Sequence, residues 1–118
     1  MKLERGQVTN ARFPHASGQR GKKRPVVVIQ ADGYNLHLRH AVVAQLTTNL
    51  AEKDDPACFL IEASSSVGRA AGIVQDSVFS GSLLSLMSED RLTDPIGRLT
   101  PEAMRVADEC LKAALGLK

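Results

Sequence analysis

A chain of 118 residues that is 43% hydrophobic can fold as one domain with a modest core and is too apolar for a disordered segment. No apolar run is long enough to span a bilayer, and Met1-Lys2-Leu3-Glu4-Arg5 lacks the apolar stretch of a signal peptide, so a cytoplasmic protein with no membrane partner is expected. The net charge of +2 conceals an asymmetry: residues 1–40 carry eight Lys/Arg against Glu4 and Asp32, whereas residues 41–118 are net acidic.

Cys58 and Cys110 stand apart without metal-type spacing, which predicts reduced core thiols and no metal or other cofactor. A basic first third suits a polyanion partner; composition alone supports a solvated, solubilising loop equally well.

In chain order, residues 7–13 predict a first strand that Pro14 ends, and residues 15–24 a basic loop. Residues 25–30 read as a central strand, with Val and Ile on both faces and Pro25 at the first position, where its missing N–H costs little. Asp32-Gly33-Tyr34-Asn35 is turn chemistry. Residues 41–46 predict a third strand, 49–56 a charged loop, 58–63 a fourth strand, 72–79 a fifth, and 96–99 a short last one. The apolar segment 83–87 fits no one element type.

The clearest helix follows. Thr100 is a good N-cap, Pro101 suits the first helical position, Glu102 complements the helix dipole, and Gly116 offers a stop. Met104, Ala107, Leu111, Ala114 and Leu115 recur on one face. The sum is a mainly β fold with some α: a small β-barrel or half-barrel of short antiparallel strands with a packed C-terminal helix.

The segment richest in chemistry is Gly18-Gln19-Arg20-Gly21-Lys22-Lys23-Arg24-Pro25, running into Val26-Val27-Val28-Ile29-Gln30. Arg24 is the last charge before the strand, so the fold fixes it better than its neighbours. A fixed guanidinium beside mobile cations suits phosphate.

The chain resembles the MazF/PemK family of toxin endoribonucleases, which share a fold with the gyrase poison CcdB. Arg5-Gly6-Gln7-Val8 is similar to the family's opening strand, and Gly21-Lys22-Lys23-Arg24-Pro25-Val26-Val27-Val28-Ile29 to its Gly-x-x-Arg-Pro-hydrophobic signature. Asp32-Gly33-Tyr34-Asn35, Gln45-Leu46-Thr47-Thr48, Asp76-Ser77-Val78 and Ile96-Gly97-Arg98-Leu99 follow in the family's order. The resemblance spans nearly the whole of 1–118 as one toxin domain. It implies a homodimer that cuts single-stranded RNA without a metal, arresting growth, and a cognate MazE-like antitoxin that blocks the groove. It carries over Arg24 and Thr47 as the catalytic pair, with Thr48 as the alternative if the register slips by one. Arg20, Lys22, Lys23, Gln30, Tyr34 and Asn35 are the residues expected to bind RNA.

Metal-free RNA cleavage uses the ribose 2′-OH as nucleophile and needs donors for charge on the phosphorane, plus a base and an acid. Arg24 offers a planar fork of donors and Thr47 one hydroxyl. The high pKa of arginine favours electrostatic stabilisation over proton transfer. Of His15, His37 and His40, His15 is the best candidate to move a proton, because it lies in the basic loop.

The chain departs from the family where many members carry Gln-Ile-Arg-Thr-Ile; here stands Leu83-Leu84-Ser85-Leu86-Met87. Ser80, Gly81 and Ser82 occupy positions where the PemK/Kid branch has an Asp and an Arg, so no carboxylate pair is available from that strand. Aromatics are scarce: Phe13, Phe59 and Phe79 fit the core, and Tyr34, in a turn, fits a packed turn residue or a platform for a base. Glu52, Asp54 and Asp55 make the loop after Thr48 acidic, so it is expected to edge the groove and not to line it.

Two other readings remain. A CcdB-like poison acting by protein binding would need an anchor at the helix end, where Leu115-Gly116-Leu117-Lys118 offers no aromatic. A weakly catalytic RNA-binding member of the family would fit the residues missing after Val78.

Overall fold

The computed structural model describes residues 2–13 and 23–118. Its elements are β1 (Gln7–Arg12), β2 (Lys23–Val28), α1 (Asp32–Asn35), β3 (His40–Thr47), β4 (Cys58–Ile61), α2 (Ser66–Ala71), β5 (Ser77–Ser88), a 3₁₀ turn (Glu89–Arg91), β6 (Gly97–Arg98) and α3 (Pro101–Leu115). Six strands form one antiparallel sheet in the order β4-β5-β3-β2-β1-β6, curled as a half-barrel.

Strand alternation gives this sheet two apolar faces. One carries Val8, Val27, Ala44, Leu46 and Phe79 and packs under α3 through Ala103, Ala107, Cys110 and Leu111. The other carries Ala11, Val26, Val28, Ala41, Val43 and Met87, capped by Leu3 and Leu92. Val26, Val27 and Val28 are all fully buried, which explains the unbroken β-branched run. Phe59 stacks at 5.3 Å on Phe79, the largest fully buried side chain.

The helix signals in the sequence are realised. Thr100 Oγ1 accepts from the Ala103 N–H at 3.1 Å, Pro101 opens α3, and Gly116 ends it at φ 69°.

The expected strand at 72–79 is corrected. Ser65 Oγ accepts from the Gly68 N–H at 3.0 Å and starts α2; Gly72, at φ 75°, ends that helix, and the strand begins only at Ser77. Gly72 is confined by packing as well as by φ, since a Cβ there would lie 2.1 Å from the Ile96 carbonyl oxygen.

The segment 83–87 is the second half of β5. Its alternation is interrupted because β5 carries a wide bulge: β3 pairs as Ala44↔Leu84 and then as Leu46↔Phe79, so Gln45 faces Ser80, Gly81, Ser82 and Leu83 together. Gly81 lets the bulge seat against α3, for a Cβ there would stand 2.9 Å from the Cys110 carbonyl oxygen. Its N–H donates to the Ala57 carbonyl at 2.8 Å.

Candidate active site

Arg24 lies at the N-terminal end of β2 and is exposed. The β2–β3 register runs Val26↔Gln45, Val27↔Ala44, Val28↔Val43; extended by two residues it sets Arg24 across from Thr47. Both belong to the face of Val26, Val28 and Val43, the one turned away from α3. Thr48 follows the alternation to the other side of the sheet end, where it lines a cavity with Asn10, Pro25, Gln75 and Ser77. Of the two threonines, Thr47 is the one that shares Arg24's face.

The Thr47 hydroxyl is held by a local bond. Its oxygen accepts from the Asn49 N–H at 3.1 Å, leaving the hydroxyl proton to donate outward. Among the described residues Arg24 makes no ion pair with a carboxylate, so its fork is available.

One more cation, on the opposite face of the sheet from Arg24 by strand alternation, was not among the expected site residues. Arg12 of β1 pairs directly with Lys23 of β2. Like charges in cross-strand register repel, and an anion at this end of the hairpin removes the penalty. The position of Arg12 at the far end of the first strand, just before the basic loop, is the signal in the sequence that marks it. His15, Arg20 and Lys22 lie outside the described residues.

The remaining expected residues are not brought to Arg24. Gln30 sits six residues further along the chain, about 20 Å away in extended geometry. Its amide N–H groups donate to Asn35 Oδ1 at 3.0 Å and to the His40 carbonyl at 2.9 Å. Asn35 is buried and donates back to the Gln30 carbonyl at 2.9 Å. These amides fasten α1 to the sheet. Tyr34 is exposed on the same turn, and His37 and His40 also lie at that end of the sheet. Asp32 joins this cluster: the Arg5 N–H donates to its carboxylate at 2.7 Å and holds its pKa below the ordinary 3.8.

The acidic loop is the second correction. Glu52 and Asp55 line a cavity of 270 Å³ together with Thr47, Asn49, Cys58 and Ser80, so they face the site instead of edging it. The β5 bulge supplies one wall of this cavity through Ser80, Ser82 and Leu83. Cys110 of α3 is buried in the core between that helix and the sheet, and burial pushes its thiol up to about 11. Among the described residues no group of three or more His, Cys, Asp or Glu is arranged to hold a metal ion.

The chain is similar to several known proteins. The sequence model of the family described as "PemK-like, MazF-like toxin of type II toxin-antitoxin system" matches residues 4–115. Endoribonuclease EndoA of Bacillus subtilis is 33% identical over 118 residues, covering 99% of this chain and 97% of its own. Endoribonuclease MazF6 of Mycobacterium tuberculosis is 30% identical over 105 residues, 88% of each chain. Among solved structures, an endoribonuclease in complex with its cognate antitoxin from a mycobacterial species superimposes with a TM-score of 0.77 at 22% identity, covering 98% of this chain and 97% of that one. That likeness shows the fold, and the family match over residues 4–115 shows the kinship: this chain belongs to the PemK-like, MazF-like toxins of type II toxin–antitoxin systems.

Proposed function

We propose that this chain is the toxin of a type II toxin–antitoxin pair, a metal-independent and sequence-specific endoribonuclease that cuts single-stranded RNA and so arrests translation and growth. The observation that carries the reading is Arg24 and Thr47 on one sheet face, beside a cavity and at the basic end of the β1–β2 hairpin.

In the proposed reaction the ribose 2′-OH attacks the adjacent phosphorus and the bond to the 5′-oxygen breaks. The products are a 2′,3′-cyclic phosphate and a 5′-hydroxyl; one proton leaves the 2′-OH and another reaches the departing oxygen. Arg24 donates from its fork to the two non-bridging oxygens as charge builds on them, and Thr47 adds one hydrogen bond. Lys23 and Arg12 draw the flanking phosphates to the hairpin end.

Residues 1–118 act as one toxin domain. In the proposed assembly two copies pair, with the apolar side chains of β5, Leu83 (42% exposed) and Leu86 (65% exposed), available to be covered. A MazE-like antitoxin segment of acidic character neutralises the cations at the hairpin end, and the protein works in the cytoplasm. Among the described residues no helix is long and apolar enough to cross a membrane.

Arg24→Ala tests the core of this reading. Losing a donor aimed at transition-state charge lowers cleavage by about a hundredfold or more, and growth arrest on expression disappears with it. A variant that stays fully toxic overturns the proposal.

A further inference from the structure

The cavity beside Thr47 carries more information than catalysis requires. It has 270 Å³, near the lower end of small-ligand sites and the scale of one flat ring system. Its lining carries the carboxylates Glu52 and Asp55, opposite in charge to the basic end of the β1–β2 hairpin.

Each polar group in it has its free capacity fixed by the fold. Asp55 Oδ1 accepts from the Ala57 N–H at 2.8 Å, which leaves Oδ2 as an acceptor. The Glu52 side chain makes no hydrogen bond or ion pair among the described residues, so its carboxylate accepts freely. Asn49 Oδ1 accepts from the Ala51 N–H at 3.0 Å, which leaves its NH₂ as a donor. Ser80 is only 5% exposed; its Oγ accepts from the Ser82 N–H at 3.2 Å, and its own proton has no acceptor among the described residues. A nearly buried hydroxyl whose proton has no protein acceptor is free to donate into the cavity.

We infer that this cavity is a base-reading pocket for the substrate RNA and that Glu52 and Asp55 select guanine at one position flanking the cut. The inference rests on the endoribonuclease reading above. Single-stranded RNA is recognised through splayed bases whose Watson–Crick edges are hydrogen-bonded. Guanine alone presents two adjacent donors, N1–H and N2–H₂, beside one acceptor, O6. Two carboxylate acceptors and the Asn49 or Ser80 donor match that set. Uracil offers a single N3–H between two carbonyls, which the carboxylates repel. Acidic groups beside a phosphate chain weaken attraction for RNA in general, a cost that a selectivity filter explains and a purely electrostatic groove does not.

The test maps cut sites on a pool of single-stranded RNA with randomised positions, for the parent chain, Glu52→Gln and Asp55→Asn. Asparagine keeps the oxygen that bonds the Ala57 N–H, so the loop is retained. The parent should favour guanine by about tenfold or more at one position beside the cut, and both variants should reduce that ratio several-fold while preferences at other positions persist. No guanine preference in the parent, an unchanged preference in both variants, or an equal loss at all sequences overturns the inference; the last would make the carboxylates catalytic. A second arm does not depend on cleavage: 5′-GMP, and not 5′-UMP, should shift the backbone amide resonances of Ser80, Ser82 and Leu83 in the parent protein. Equal shifts, or none, overturn the inference even if the chain cuts no RNA, an outcome that would separately remove the ribonuclease reading.

Discussion

Replacing Gly81 with alanine adds one methyl group at the point where the β5 bulge meets α3. The new Cβ would lie 2.9 Å from the Cys110 carbonyl oxygen, 3.1 Å from its carbon and 3.2 Å from the Ala57 carbonyl oxygen. All three are backbone atoms, and α3 is pinned by Ala107 and Leu111 in the core, so the contacts are not relieved by a side-chain rotation. Overpacking of this kind costs about 1–3 kcal/mol. Gly81 is not among the positive-φ glycines, so alanine accepts its backbone and recovers about 0.4–1 kcal/mol from the unfolded state. The net loss is about 1–2 kcal/mol, which lowers Tm by roughly 5–10 °C for a domain of this size. Gly33 of α1 is the matched control: a Cβ there meets nothing within 4 Å, and the same substitution should raise Tm by a few degrees. Thermal unfolding followed by circular dichroism reads both. If Gly81→Ala melts at or above the parent temperature, the bulge does not press on the helix as described.

Two further outcomes follow from the protonation of single groups. At pH 8 the partly buried Cys58 should take up iodoacetamide in the native protein, whereas Cys110, its thiol pushed up to about 11 by burial, should react only after denaturant is added; mass spectrometry in which Cys110 is labelled first would contradict this. Asp32 has its pKa depressed by the Arg5 N–H, so its contribution to stability is complete above the unfolded value and fades as pH falls through the folded one. Asp32→Asn should therefore flatten the loss of stability below about pH 4, and an unchanged acid-unfolding curve would show that this bond contributes nothing.

The legible parts of the fold are those in which local chemistry and burial agree. Thr100-Pro101 and Gly116 mark α3 by capping alone, and Pro25 before three valines marks a buried strand because nothing else tolerates that run. Short α2 escaped because six residues give too little periodicity and one is Gly68, needed where a Cβ would meet the Glu62 carbonyl oxygen at 2.1 Å. β5 read as two pieces because Ser80 to Leu83 break its alternation, although those residues form one wall of the cavity.

At the candidate site, Arg24 is legible as the last charge before a buried strand, whereas Thr47 is implied only by the family resemblance. The place of Glu52 and Asp55 in the cavity lining is not legible in the sequence, since charge alone argues for keeping them away from RNA, and only the path of the loop after Thr48 turns them inward. Gln30 and Asn35 show what residue type does not reveal: their amides hydrogen-bond to one another and to the His40 carbonyl, holding α1 to the sheet.

The pairing of β6 with β1 has a consequence for timing. Gln7↔Arg98 and Val8↔Gly97 join the first strand to the last, and Arg5–Asp108 and Glu4–Arg98 tie the same two regions by charge. Chains emerge from the ribosome with their early segments first. Until residues 97–115 have been translated, β1 has no outer neighbour and Val8, Val27 and Phe79 have no helix over them, so the frame that aims Arg24 is incomplete. The sheet that carries Arg24 is therefore closed at its β6 edge and roofed by α3 only when the C-terminal segment is in place.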